Sequence, residues 1–249
     1  LKTYQYPEDP AYTDDIIESI VKTLKTGFPD TAITLSIGER SEKAYMRFRE
    51  AGADRYLLRF ETSDRQHYRK LHSDNEDFDN RMKCLETLRQ CGYQTGTGMM
   101  TGSPYQSHEN IVKDILLIEK FKPEMIGIGP FIPHKDSPFS GFAHGSADLT
   151  LLLISIFRLM FPDALIPSTT ALNTLSPGNR LKGILAGANV VMPDITPETY
   201  RKDYEIYDGK ACTGAEAAEG IAALEKELGT IGYSIDYGRG DYPDRKPNP

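Results

Sequence analysis

With 249 residues, the chain is long enough for one α/β barrel or two small domains, and it can bury a core without disulfide or metal staples. A formal net charge of -7 argues against phosphate-bearing partners, so neither nucleic acid nor an anionic membrane surface is expected. Three cysteines, Cys84, Cys91 and Cys212, form no close pair, which suits a reducing cytoplasm better than a disulfide framework.

Residues 1–5 read as the trailing end of a strand, without the pattern of a secretory leader. Ile16, Ile17, Ile20, Val21 and Leu24 then recur at helical spacing, with Asp14 and Asp15 at the positive helix start. Residues 32–38 read as a strand, followed by a helix with Ser41 as N-cap and Gly52 as its terminator. The next stretch, Arg55-Tyr56-Leu57-Leu58-Arg59-Phe60-Glu61-Thr62, reads as a buried strand. On it Leu57, Arg59 and Glu61 share one face while Leu58 and Phe60 take the other. An Arg and a Glu at the end of an apolar strand are costly to bury unless they serve a ligand or each other.

The same grammar repeats through helix 78–91, strand 94–101, helix 109–121, strand 125–131, helix 149–161, strand 165–172, helix 179–186 and strand 190–192. The run at 149–161 is apolar, but it is too short to span a bilayer and contains Arg158. Gly52, Gly92 and Gly187 each stand between a helix and a strand, where a left-handed residue ends the helix. Strand–helix alternation with such short returns indicates parallel β/α units. Polar residues collect after strands rather than after helices, which favours a (β/α)₈ barrel, with a doubly wound sheet as the alternative. Residues 1–208 are expected to form the barrel part. Residues 209–249 are expected to be a C-terminal extension with a short helix at 221–228 and a disordered tail.

Thr34, Ser36, Arg59, Glu61, the run 100–104, Pro130, Phe131, His134, Ser168, Thr169, Thr170 and Met192 lie at strand ends. Hydroxyls, a guanidinium, a carboxylate and apolar walls suit a small zwitterionic or amino-acid-like ligand. Bland readings stand beside this one: Thr169 and Thr170 as β-branched strand residues, the 98–102 run as a small-residue layer with core methionines, and Arg81 as a solvated helix residue. No Cys-x-x-Cys or His-x-x-x-His spacing occurs, so no metal site is read from the residues, and Arg239-Gly240-Asp241 is assigned no role.

Several contiguous motifs carry a resemblance. They are the 55–62 stretch, Arg69-Lys70-Leu71-His72, Met125-Ile126-Gly127-Ile128-Gly129-Pro130-Phe131-Ile132-Pro133-His134, Ile166-Pro167-Ser168-Thr169-Thr170-Ala171-Leu172, Gly187-Ala188-Asn189-Val190-Val191-Met192-Pro193 and Tyr200-Arg201-Lys202-Asp203-Tyr204. Together they resemble radical SAM maturases of [FeFe]-hydrogenase, of the HydE type. Methylornithine synthase and biotin synthase share parts of the pattern, and a cluster-free binding or scaffold barrel is the alternative from another class. The resemblance implies a (β/α)₈ barrel using S-adenosylmethionine and a [4Fe–4S] cluster. In that family a 5′-deoxyadenosyl radical acts on an iron–cysteine carbonyl/cyanide precursor, alongside other hydrogenase maturases. It further implies that Glu61, Arg81 and Gln5 serve the cofactor. Arg59, Thr34, Thr169, Thr170, Met192, Tyr204 and Tyr207 would serve a small organometallic or amino-acid-like substrate. The family's three-cysteine cluster loop has no counterpart in the motifs, so an incomplete barrel lacking the first strand and cluster loop is expected.

Overall fold

The computed structural model describes residues 13–73, 76–193 and 217–243. These fall into two compact units. One takes residues up to Met99 together with 112–127 and the stretch from Gly238 onward; the other takes 100–111 and 128–237.

In the first unit, α1 (Asp14–Gly27) starts where the Thr13 side chain accepts the Ile16 N–H, and it buries Ile17 and Val21. β1 (Thr34–Leu35) is shorter than the expected 32–38 strand. Just before it, the Asp54 carboxylate accepts the Ile33 N–H at 2.9 Å, and the Ile33 carbonyl takes the Asp54 and Arg55 amides. Ser41 caps α2 (Glu42–Glu50) as the sequence implies. β2 (Arg55–Leu57) pairs in parallel with β1, Thr34 opposite Arg55, and with β3 (Gln94–Thr101), Arg55 opposite Gln94. The expected strand to Thr62 stops early and rejoins β3 only at an isolated bridge, Glu61 to Met99. Two helices follow, α3 (Arg65–Leu71), an addition to the expected strand–helix series, and α4 (Phe78–Gln90).

Tyr45, Tyr56 and Tyr93 form the polar-tipped centre of this core, with edge-to-face ring centroids 5.1 and 5.6 Å apart. Their hydroxyls are spent on backbone: Tyr56 donates to the Gly38 carbonyl at 2.6 Å and Tyr93 to the Tyr45 carbonyl at 2.7 Å. α5 (His108–Phe121) and β4 (Met125–Pro130) follow, and the sheet order is β1-β2-β3-β4. Small residues on β3 and β4 are dictated by close approach. A Cβ on Gly98 would sit 1.8 Å from the Gly127 carbonyl oxygen, and one on Gly127 would meet the Arg59 stem at 3.6 Å. The Arg239-Gly240-Asp241 stretch, given no role from sequence, is tied to the start of β2. Arg239 reaches the Asp54 carboxylate at 2.5 Å, and Arg55 reaches Asp241 at 3.0 Å and the carbonyls of Arg239 and Gly240.

In the second unit, α6 (Ala147–Met160) is capped by Ser146 and buries Leu153, Ile154 and Phe157. The expected strand 165–172 is replaced by β5 (Pro167–Ser168) and a short helix, α7 (Thr170–Leu175). The reason is local: the Thr169 hydroxyl accepts the Leu172 N–H as an N-cap, a use open to Thr as much as strand formation. This corrects the reading of Thr169 and Thr170 as strand residues. α8 (Asn179–Leu185) leads to β6 (Val190–Val191), parallel to β5, and α9 (Ala217–Gly229) contributes the buried Leu224 and Leu228. No helix among the described residues is long and apolar enough to cross a membrane.

Candidate cofactor site

The β2 strand delivers its charged pair through a break in its own geometry. Leu57 and Arg59 keep the expected alternation, both facing Gly127 of β4. At Glu61 the backbone turns to φ 64°, and the Thr62 N–H donates back to the Phe60 carbonyl at 2.8 Å. An i→i+2 hydrogen bond around a positive-φ residue is the strained form of γ-turn. Beyond it, strand alternation no longer determines where the carboxylate goes. Glu61 Oε2 lies 3.0 Å from Arg59 Nη2, with the carboxylate side chain 6% exposed and the guanidinium 25%. That oxygen and Arg59 Nε make no aligned hydrogen bond among the described residues, while Arg59 Nη2 donates to the Met99 carbonyl at 2.7 Å.

In the same unit, Arg81 is 1% exposed, which corrects its reading as a solvated helix residue. Its Nε stands 2.7 Å from Glu39 Oε1, its Nη2 3.9 Å from Glu76, and its Nη1 donates to the Arg59 carbonyl at 3.4 Å. Burial works to lower the Arg81 pKa, but Tyr68, Glu39 and Glu61 outweigh it and the guanidinium is held more firmly charged. The Tyr68 ring stacks on His72 with centroids 3.7 Å apart. His72 Nδ1 is 3.0 Å from the Tyr68 carbonyl, which fixes that nitrogen as the protonated one, and burial lowers the His72 pKa. Glu39 and Tyr68 are not among the residues expected from sequence, and His72 enters there only as the end of the Arg69-Lys70-Leu71-His72 motif. A carboxylate directly after the strand-end glycine, Gly38-Glu39, was the one available signal.

Other expected site residues are placed elsewhere. Thr34 is exposed and pairs in register with Arg55, roughly 13 Å before Arg59 along the strand, so it is not brought to the charged pair. Thr169 and Thr170 lie in the second unit, half-buried, with Thr169 Oγ1 over Gly129, where a Cβ would come within 3.0 Å. Met192 is 49% exposed. Gln5, Tyr204 and Tyr207 lie outside the described residues.

Residues 3–118 match the model of the radical SAM superfamily. The [FeFe] hydrogenase maturase subunit HydE of Thermotoga maritima is 43% identical over 228 residues, which is 92% of this chain and 65% of that relative. The chain is thus similar to radical SAM proteins, HydE among them. A 3-methylornithine synthase of Methanosarcina barkeri is 30% identical over 203 residues, 82% of this chain and 55% of the relative. The crystal structure of a methylornithine synthase (PylB) matches with a TM-score of 0.73 at 28% identity, covering 93% of this chain and 65% of that one. The chain thus spans 65% or less of the length of each. The parallel pairing of β1 with β2, β2 with β3 and β5 with β6 agrees with the α/β class of that superfamily, whose cofactors are S-adenosylmethionine and a [4Fe–4S] cluster.

The described residues meet those two cofactors differently. Glu61 Oε2, buried and ion-paired to Arg59 without an aligned hydrogen bond, is chemically suited to accept from a hydroxyl such as a ribose diol. The Arg81–Glu39 pair offers a guanidinium and a carboxylate to the carboxylate and ammonium of an amino-acid head. S-adenosylmethionine fits this set. A cluster does not fit: no group of three or more His, Cys, Asp or Glu among the described residues could hold a metal. Cys84 is buried with its thiol pKa raised by that burial, and Cys91 ends the same helix.

Proposed function

We propose that the protein is a radical SAM maturase in assembly of the [FeFe]-hydrogenase H-cluster, acting on a small organometallic or amino-acid-like substrate. The observation that carries this is the 43% identity to HydE across 92% of the chain. When bound, S-adenosylmethionine supplies the radical chemistry common to the family. This chain's residues supply the grip: Glu61 accepts the ribose hydroxyls, and Arg81, opened from Glu39, takes the methionine carboxylate. Gln5 joins the cofactor side by resemblance. Arg59 is left for the substrate, with Thr169, Thr170, Met192, Tyr204 and Tyr207 joining it by resemblance. Likeness to methylornithine synthase also supports a ligand of amino-acid character.

Calorimetric titration of the chain with S-adenosylmethionine tests the reading. Saturable binding is expected, weakened about 10- to 100-fold by Arg81→Lys, because a point charge replaces a planar fork at a charge-assisted contact. No saturable heat, or an Arg81→Lys affinity equal to wild type, contradicts it.

A further inference from the structure

The strained turn that aims Glu61 needs something outside its own strand to hold it, and α5 supplies a buried group for that task. Asp114 is 0% exposed. Its Oδ1 accepts both the Ser63 backbone N–H at 2.5 Å and the Ser63 hydroxyl at 2.6 Å. Its Oδ2 has no hydrogen-bond partner among the described residues. Around it the corner is fully tied. Thr62 Oγ1 meets His67 Nδ1 at 3.0 Å, and Asp64 caps α3 by accepting the Gln66 and His67 amides at 2.9 Å. Lys113, the neighbour of Asp114 on α5, reaches Asp64 at 2.5 Å. On the strand side, the Glu61 N–H donates to the Gly98 carbonyl at 3.1 Å. Asp114 is therefore the interior anchor on one flank of a turn whose other flank is the sheet.

We infer that Asp114 is the positioning residue that holds the Glu61 turn, and through it the aim of the Glu61 carboxylate. The step from turn to ligand rests on the cofactor reading above; the hold on the turn does not. A buried acid whose second oxygen finds no partner is an expensive way to stabilise a helix, and an apolar residue at this place on α5 would serve packing better. Its presence makes sense if the double acceptance at Ser63 is what is needed. Burial, with smaller contributions from Asp64 and Glu61, disfavours the ionised form of this acid, while the two hydrogen bonds from Ser63 favour it.

Hydrogen exchange of the segment 61–64, read by mass spectrometry, decides the hold on the turn without any ligand. Asp114→Ala should speed exchange there by roughly tenfold or more, Ser63→Ala by less, and Asp114→Asn, which keeps the acceptor, should stay near wild type. Unchanged exchange in both Asp114→Ala and Ser63→Ala overturns the inference. Titration with S-adenosylmethionine then separates aiming from general support. Asp114→Ala should weaken binding about tenfold in the wild-type background and by less than about twofold in a Glu61→Gln background. Equal losses in both backgrounds overturn the link to Glu61. A loosened segment in a chain that binds no cofactor sinks the cofactor reading and leaves the hold on the turn established.

Discussion

Non-glycine residues avoid φ near +64° because Cβ crowds the backbone, at a cost of roughly 1–3 kcal/mol that the surroundings must hold in place. Glu61 sits there with one carboxylate oxygen, Oε2, ion-paired to Arg59 at 3.0 Å but without an aligned donor among the described residues. Strain and unmet hydrogen bonding at one residue are the mark of a group kept for a ligand. Arg81 carries a buried charge without that backbone strain, its Nε 2.7 Å from Glu39 Oε1. Arg81→Met should cost roughly 3–5 kcal/mol in urea unfolding because Glu39 is left buried and uncompensated, and adding Glu39→Gln should return part of that. A single-variant loss under about 1 kcal/mol would mean the pair is not buried as described.

At the scale of elements, what the sequence showed was set by local chemistry. β3 matches its expected bounds because Gly92 before it and Gly102 after it, both at positive φ, bracket an uncharged run, and the turns at Gly52, Gly92 and Gly187 are legible because each has φ between 82° and 120°. The 165–172 segment was misread because Thr serves equally as a strand residue and as a helix cap. α3 was missed because its start signal is one Asp64 side chain. The burial of Arg81 depends on Glu39, far off in the chain, which no local pattern reveals. Of the charged pair, its existence was legible and its turn was not.

The same reasoning ranks glycines. Gly98→Ala places a Cβ against the Gly127 carbonyl on an adjacent strand and should destabilise by more than about 3 kcal/mol, whereas Gly27→Ala, at the open end of α1, should be neutral or stabilising by up to about 1 kcal/mol. Thermal unfolding of the two variants checks the contrast, and similar losses would contradict the packing of β3 on β4.

For the whole molecule, two acids set opposite slopes of stability with pH. Burial pushes Asp114 up to about 6 from an ordinary 3.8, so its contribution is present at low pH and is lost as pH rises toward 6 and above. Burial opposes the ionised form of Asp241, but hydrogen bonds from Arg55 and Arg239 lower its pKa overall. Its contribution is therefore present above about 4 and is lost on acidification below that. Melting curves from pH 3 to 7 should show Asp114→Asn flattening the slope between about 4 and 6, and Asp241→Asn flattening the acid limb. An Asp114→Asn curve parallel to wild type would contradict the buried acid.

The proposed function divides a pair that stands 3.0 Å apart, giving Glu61 to the cofactor and Arg59 to the substrate. Titration of Glu61→Gln and Arg59→Ala with S-adenosylmethionine measures that division directly. Glu61→Gln should bind about 10- to 100-fold more weakly than wild type while Arg59→Ala stays within about threefold. Unchanged affinity in Glu61→Gln, or an equal loss in both variants, would contradict it.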